Sequence, residues 1–374
     1  MDRITTLINE AQDCYLDGNL EQSEALLTRA YVLDSQHPDV LWGLIGVCIE
    51  KGDIPQTQQF IDELLVLEPD NGEALFHKAN CLYDLDELEE AEQVYNTIIA
   101  KNPNNSLAFS MRGALFCKRN DWEQATTDLT KALELDKKNF IAYFQRASIV
   151  AERGDLKAAL RDLDKCLKYS KNYPDALYQK ARILHFRGKN WAALKYINKA
   201  APHLDQEPEY FFTRAQILKS LNKLSAAFED LDSSLQLEPE ATGVLYTRAM
   251  LYAQVSNFDL AIQDLDAAIA LDDPKQLEYL YNGYADVYKK QGQYEKALEY
   301  GKKSIATIPD FCYAYATMAE VYALQGDDTN FFSSLTAAVQ RGFNPREIEK
   351  TLPKQYRRDE QFRRLMREAK AALI

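Results

Sequence analysis

The sequence lacks the long apolar runs that a membrane helix or a signal peptide needs. Its first residues, MDRITTLINEAQDCYLDGNL, carry acids where a secretory signal has an apolar core, and no run reaches membrane-spanning length. The six cysteines lie far apart, among apolar residues, without the paired spacing of a disulfide framework or a zinc site. These absences predict a cytoplasmic protein whose cysteines are small buried hydrophobes in a reducing compartment.

Catalytic and cofactor-binding motifs are also missing. No GxSxG, GxxxxGK[ST] or GxGxxG occurs in the chain. The four histidines, at 37, 77, 185 and 203, match no metal-ligand spacing. The sequence therefore predicts that the protein is not an enzyme and needs no metal or other cofactor. An enzyme with an unrecognised site is the alternative that a bound metal or cofactor would revive.

Positive charge is scarce outside the C-terminal segment. The net charge is −13, yet residues 341–374 hold ten Lys and Arg against five Asp and Glu, which leaves about −18 on the first 340 residues. So acidic a body repels phosphate backbones, and nucleic acid is not the expected partner. The basic segment suits the solvated face of a terminal helix better than a patch for an acidic partner.

What the sequence does contain is a period of 34 residues. In RASIVAERGDLKAALRDL, two small residues, Ala147 and Ala159, flank Gly154. A fixed period of this size indicates a solenoid of stacked units that share one core. The first small site recurs at Ala79, Gly113, Ala147, Ala181, Ala215, Ala249 and, after a slip of two residues, Ala285 and Ala319. The second recurs at Ala91, Ala125, Ala159, Ala193, Ala227, Ala261 and Ala297.

Each unit is expected to be a pair of antiparallel helices. In residues 140–173, apolar residues follow helical spacing up to Gly154, which is placed to end the first helix. Asp155 is placed to cap the second helix. The connection is short, so the helices must be neighbours. Ala147 and Ala159 are then small because the two helices cross there.

A large residue, a small residue four later, a second small residue twelve after that, an aromatic or leucine, and a closing proline form the tetratricopeptide repeat pattern. This chain resembles that family from about residue 72 to 311, and more weakly outside that range. The pattern reads Leu75, Ala79, Leu82, Ala91, Tyr95 and Pro103 in one unit, and Phe211, Ala215, Leu218, Ala227, Leu231 and Pro239 in another.

The resemblance implies an all-α, right-handed superhelical solenoid of about ten helix-turn-helix units in residues 1–340. The units start near residues 4, 38, 72, 106, 140, 174, 208, 242, 278 and 312. Residues 341–374 are expected to form a capping segment, in which Asp359 caps a final helix. One face of that helix would carry Phe362, Leu365, Met366, Ala369 and Leu373.

In this family, positions 2, 5, 9 and 12 of each unit face a concave groove. Position 5 is aromatic in six of the nine units from residue 38 onward, and position 9 supplies amides and an arginine. Aromatic residues at position 5 also pack between neighbouring helices, so a purely structural role stays open. The candidate partner-binding residues are Trp42, Phe76, Asn80, Phe144, Tyr178, Arg182, Phe212, Gln216 and Tyr246.

A basic stripe occupies position 7, and aspartates lie on the second helices. We expect structural ion pairs within or between units rather than a track for phosphates. The stripe comprises Lys78, Arg112, Arg146, Lys180, Arg214 and Arg248, and the aspartates are Asp128, Asp162, Asp230 and Asp264.

One specialised form of the family binds acidic chaperone tails through a carboxylate clamp, which needs lysine at position 5 of one unit. Position 5 is never lysine in this chain. The one unit with asparagine at position 9, Asn80, continues with Met111, Ile141 and Gln145 where the clamp needs polar and basic residues. The clamp is therefore not expected.

The resemblance implies a non-catalytic scaffold, adaptor or co-chaperone that binds a peptide or partner protein in the groove. Nucleic acid, membrane and clamp-bound acidic tails are not expected partners. A self-assembling structural subunit, and hence a homo-oligomer, is the alternative.

Overall fold

The computed structural model of the protein describes residues 3–204, 206–271 and 276–372. Within them every regular element is helical, which confirms the all-α class, and consecutive helices pack as pairs. The α-helices are α1 Arg3–Leu16, α2 Leu20–Leu33, α3 Pro38–Lys51, α4 Ile54–Leu67, α5 Gly72–Asp84, α6 Leu88–Lys101, α7 Ser106–Lys118, α8 Trp122–Leu135, α9 Phe140–Glu152, α10 Leu156–Tyr169, α11 Pro174–Phe186, α12 Asn190–Leu204, α13 Pro208–Ser220, α14 Leu224–Leu237, α15 Thr242–Gln254, α16 Phe258–Ala270, α17 Leu277–Lys290, α18 Tyr294–Thr307, α19 Cys312–Gln325, α20 Asp328–Gln340, α21 Lys354–Arg358 and α22 Glu360–Ala372.

A residue with left-handed backbone separates the two helices of each pair. Gly154 has φ of +84°, which glycine adopts without steric cost. The Asp155 side chain then accepts a hydrogen bond of 2.9 Å from the Ala158 amide and begins α10. The turn expected at these two residues is confirmed. The left-handed residues between paired helices are Gly18, Gly52, Asp86, Asn120, Gly154, Gly188, Asn222, Ser256, Gly292 and Gly326.

The small residues lie where the helices of a pair cross. Ala147 and Ala159 have no exposed surface. At the corresponding crossing of α7 and α8, a Cβ on Gly113 would lie 2.9 Å from Cγ of Leu129 and 3.4 Å from the carbonyl oxygen of Ala125. The helices thus approach too closely for a larger side chain, as the spacing of small residues predicts.

The chain divides into two compact units, Met1–Ile183 and Leu184–Ile374. In the first unit, α1 to α10 form five consecutive packed pairs, and first helices also touch directly, α1 with α3 and α7 with α9. In the second unit, α13 to α20 form four such pairs, and α15 touches α17, which touches α19. These contacts bring together side chains of α1 and α3, of α7 and α9, and of α15, α17 and α19.

The last helix closes the second unit. Asp359 accepts backbone hydrogen bonds from Gln361 at 2.7 Å and from Phe362 at 3.2 Å, which confirms it as the cap of α22. Phe362 and Leu365 are buried, and α22 packs against α20. Of the other residues expected on this face, Ala369 is buried, Met366 is half-buried, and Leu373 lies outside the described residues.

Buried thiols give a first testable consequence of this core. Burial raises the pKa of Cys166 to about 12 and that of Cys48 to about 11. Near pH 8, only roughly one Cys166 in ten thousand is then a thiolate, the form that attacks disulfide reagents. We expect a chromogenic disulfide reagent to leave both thiols intact in the native protein, while half-buried Cys14 reacts. In guanidinium all six cysteines should react, and rapid native labelling of Cys166 would contradict the packing described.

Candidate partner-binding site

The repeat positions expected to face a groove line one cleft of about 620 Å³ between α1 and α3, in the first two helix pairs. From α1 these are positions 2, 5, 9 and 12, and from α3 positions 2, 5 and 9. Of the residues that line this cleft, the sequence singles out only Trp42, because the first two repeats depart from the family pattern. Counting repeat positions from residues 4 and 38 identifies the other lining residues at these positions. The lining residues at these positions are Thr5, Ile8, Gln12, Tyr15, Asp39, Trp42 and Gly46.

Trp42 and Phe76 are half-buried aromatic side chains of the compact unit Met1–Ile183. The Trp42 ring meets the His77 ring edge to face at a centroid distance of 6.0 Å. Phe76 meets Tyr95 at 6.3 Å. The Tyr95 hydroxyl donates a 2.7 Å hydrogen bond to Oδ1 of Asn80. The Asn80 oxygen is therefore engaged within its own pair, and the amide nitrogen is the part of this side chain free to meet a ligand.

Phe144 lies on α9, and Tyr178 and Arg182 lie on α11; all three belong to the compact unit Met1–Ile183. Phe144 is half-buried and meets Tyr173 edge to face at 5.2 Å. The Arg182 guanidinium lies 5.7 Å from the centroid of the half-buried Tyr178 ring, and the Arg182 side chain is exposed. These residues present apolar area beside a charged hydrogen-bond donor.

The compact unit Leu184–Ile374 contains Phe212, Gln216 and Tyr246, which are all half-buried. Phe212 packs against a buried cluster that includes Ala215 and Leu218. A Cβ on Gly283 would lie 3.0 Å from Cε2 of Tyr246, so α15 and α17 are in close contact there. Burial raises the pKa of Tyr246 to about 12, and the hydroxyl stays protonated at neutral pH.

The C-terminal segment covers the corresponding positions of α19. Phe343 meets Tyr313 at 5.8 Å, and Glu320, at position 9, is buried. Glu320 accepts hydrogen bonds from the Thr351 hydroxyl and, at 2.5 Å, from Lys289 Nζ. The segment thus contacts positions 2 and 9 of the last repeat. Sequence reasoning missed this arrangement because residues 343–352 follow no repeat.

The basic stripe forms ion pairs. Arg146 donates two hydrogen bonds to the Asp162 carboxylate, from Nε at 2.7 Å and from Nη2 at 2.9 Å. The same two-bond contact with an aspartate sixteen residues later is made by Arg112, Arg214 and Arg248. Lys78 instead reaches back to Asp62 of the preceding pair at 2.7 Å, and Arg248 reaches Asp232 likewise. The structural interpretation of the stripe is confirmed, and these cations are engaged within the protein.

The described segments contain no helix long and apolar enough to cross a membrane. In the same part of the chain, no group of three His, Cys, Asp or Glu side chains could hold a metal ion.

Family models for the tetratricopeptide repeat match residues 52–115, 111–175 and 246–310, just over half of the chain. A curated relative from Cyanophora paradoxa, the uncharacterized protein ycf37, is 40% identical over 53 residues. That match covers 14% of this chain, and this chain spans only 31% of the length of that relative.

Three solved structures are similar to parts of this chain. A tetratricopeptide repeat protein from Parabacteroides merdae is 20% identical with a TM-score of 0.51, covering 65% of this chain and 96% of its own. Pseudomonas aeruginosa pilF is 20% identical with a TM-score of 0.49, and the match covers 57% of this chain and 97% of pilF. YrrB, described as having an unusual peptide-binding site, is 22% identical with a TM-score of 0.43. The match covers 47% of this chain and 91% of YrrB.

Proposed function

Because this chain belongs to the tetratricopeptide repeat superfamily, we propose that it is a non-catalytic adaptor or co-chaperone that binds a peptide or partner protein on its groove-facing helices. Members of this superfamily generally mediate protein–protein interactions.

The observation that carries the proposal is the intermediate burial of the six position-5 aromatics. Trp42, Phe76, Phe144, Tyr178, Phe212 and Tyr246 are neither enclosed in the core nor fully exposed. One part of each ring packs against neighbouring side chains, and the remaining part faces solvent. Such rings offer a partner a large contact area at a small cost in side-chain entropy, because packing already holds their rotamers.

Polar neighbours supply hydrogen bonds for the backbone of a peptide. Arg182 is exposed beside Tyr178, Gln216 is half-buried one turn after Phe212, and Asn80 keeps its amide nitrogen available beside Phe76. An arginine or amide can satisfy the peptide groups that a bound segment would otherwise bury unpaired. The helix pairs hold these groups in place before binding, which lowers the entropic cost of association.

Affinity capture tests this function. We expect the wild-type chain to retain one or more partners from its native lysate, and a Phe144→Ala, Tyr178→Ala, Phe212→Ala variant to lose them. Each ring removed from a desolvated contact weakens binding by roughly 2 kcal/mol. The variant must match the wild type in circular dichroism. A matched control replaces the exposed Val32 and Val66 of the second helices with alanine and should retain the partners.

Identical partner lists for the wild type and the aromatic variant would contradict binding at these residues. A chain that captures nothing, and whose mass in light scattering rises with concentration, would instead support self-assembly.

A further inference from the structure

We propose that the cleft between α1 and α3 anchors one large apolar side chain of a partner peptide beside Trp42, with a neighbouring Lys or Arg of that peptide at Asp39. The proposal rests on the proposed function, since it requires that groove-facing residues bind a peptide. It adds an anchoring site in the degenerate first repeats and the chemistry of its occupant.

The cleft has an apolar floor with room for a side chain. Ile8 and Trp42 are half-buried in its walls, and Leu27 lies at its base. Gly46 is the decisive residue, because a Cβ at this position would meet no atom within 4 Å. The same repeat position carries Asn80, Arg182 and Gln216 in later units. The missing side chain at Gly46 therefore leaves a space beside Trp42 that those units do not have.

Polar groups surround this floor. Thr5, Asn9 and Gln12 are exposed along α1 and can hydrogen-bond a peptide backbone. On the opposite wall, Nδ1 of the half-buried His37 is enclosed and lacks a hydrogen-bond partner within the protein. Its enclosure keeps this nitrogen from a ligand, so the hydrogen-bonding groups open to a peptide are those of α1. An apolar floor with a few polar groups at the edge is typical of sites that take a single side chain together with its backbone.

The charge around the cleft favours a basic peptide. Residues 3–51 contain eight acidic residues and three basic ones, and one of the three, Lys51, is paired with Glu24. Asp39 is exposed in the cleft wall, and the Tyr15 hydroxyl donates to Glu50 at 3.3 Å at the other end. Complementary charge of this kind steers a cationic segment toward the cleft and rejects acidic ones.

Gly46→Leu provides a sharp test, because the new side chain fills the cleft without meeting its walls at Cβ. Leucine is also the better helix former, so the variant should be at least as stable as the wild type. Gly72→Leu is the matched control. Gly72 also lies in a helix with open space at Cβ, and it is outside the cleft.

The probe is a phage-displayed library of random peptides about a dozen residues long, selected on the full chain. We expect the enriched peptides to share a large apolar residue next to Lys or Arg. A fluorescent synthetic copy should bind roughly tenfold more weakly to Gly46→Leu than to the wild type, and equally well to Gly72→Leu. In a Trp122→Phe, Trp191→Phe background, Trp42 is the remaining tryptophan of three, and its emission should shift on binding.

The outcomes separate this inference from the proposed function. Peptides that bind Gly46→Leu normally but fail on the Phe144, Tyr178 and Phe212 variant overturn the anchoring site and leave the proposed function standing. Enrichment of acidic peptides, or unchanged Trp42 emission, overturns the chemistry or the location proposed. A wild-type chain that enriches no peptide overturns the anchoring site, while capture of a partner from lysate decides the proposed function separately.

Discussion

Replacing Asp162 with alanine is expected to lower the free energy of unfolding of this protein by about 3 kcal/mol. The Asp162 carboxylate accepts two hydrogen bonds from Arg146, and the two side chains are 10% and 27% exposed. The hydrogen bonds to Asp162 raise the pKa of Arg146, which is half-buried and stays charged without its partner. The cost comes from that unpaired guanidinium at a helix crossing, and urea denaturation followed by circular dichroism measures it.

Two variants control this prediction. Removing both partners, as Arg146→Met with Asp162→Leu, should restore stability to within about 1 kcal/mol, because apolar side chains of similar size carry no desolvation cost. Glu134→Ala breaks the exposed Lys131–Glu134 pair and should change stability by less than about 0.5 kcal/mol. A double variant as unstable as the single one would show that the loss arises from packing rather than from the unpaired charge.

Ala125→Leu is expected to destabilise the protein by a similar amount, about 3 kcal/mol, for a steric reason. Ala125 has no exposed surface, and its carbonyl oxygen lies 3.4 Å from where a Cβ on Gly113 would be. The backbones of α7 and α8 are therefore in near contact, and Leu129 already fills the remaining space. Three additional heavy atoms at residue 125 can be accommodated only by separating the two helices.

The matched control is Ala100→Leu, an exposed position on the neighbouring helix α6. It should alter the free energy of unfolding by less than about 0.5 kcal/mol. Urea denaturation of both variants decides the matter. Equal stability of Ala125→Leu and Ala100→Leu would show that the crossing tolerates a large side chain, and close helix approach would then not explain the repeated small residues.

The features that follow from the repeat were predictable from sequence. Each unit solves the same packing problem, so Ala147, Ala159 and Gly154 recur at fixed spacing and their roles can be inferred from the pattern. The same holds for Arg146 and Asp162. They are sixteen residues apart on the two helices of one pair, and the short turn between these helices brings the two side chains together. Local rules thus determine the turn, the crossing and the ion pair.

Features that depend on contacts outside the repeat were not predictable. The hydrogen bond from Thr351 to Glu320 arises because a segment without periodicity folds back on α19. The use of the Asn80 oxygen by Tyr95 depends on a tyrosine that the other units lack at this position. The half-exposure of Phe144 could not be inferred either, since an aromatic residue at position 5 suits both packing and partner contact.

Site-specific photo-crosslinking in the native complex decides most directly whether the position-5 aromatics contact the partner. A benzophenone amino acid would replace Phe144 or Phe212 in one set of proteins, and the exposed Thr130 or Gln263 of the second helices in another. We expect covalent adducts with the captured partner from Phe144 and Phe212 and none from the second-helix positions. Adducts from Thr130 or Gln263 alone would place the partner on the opposite face and contradict binding in the groove.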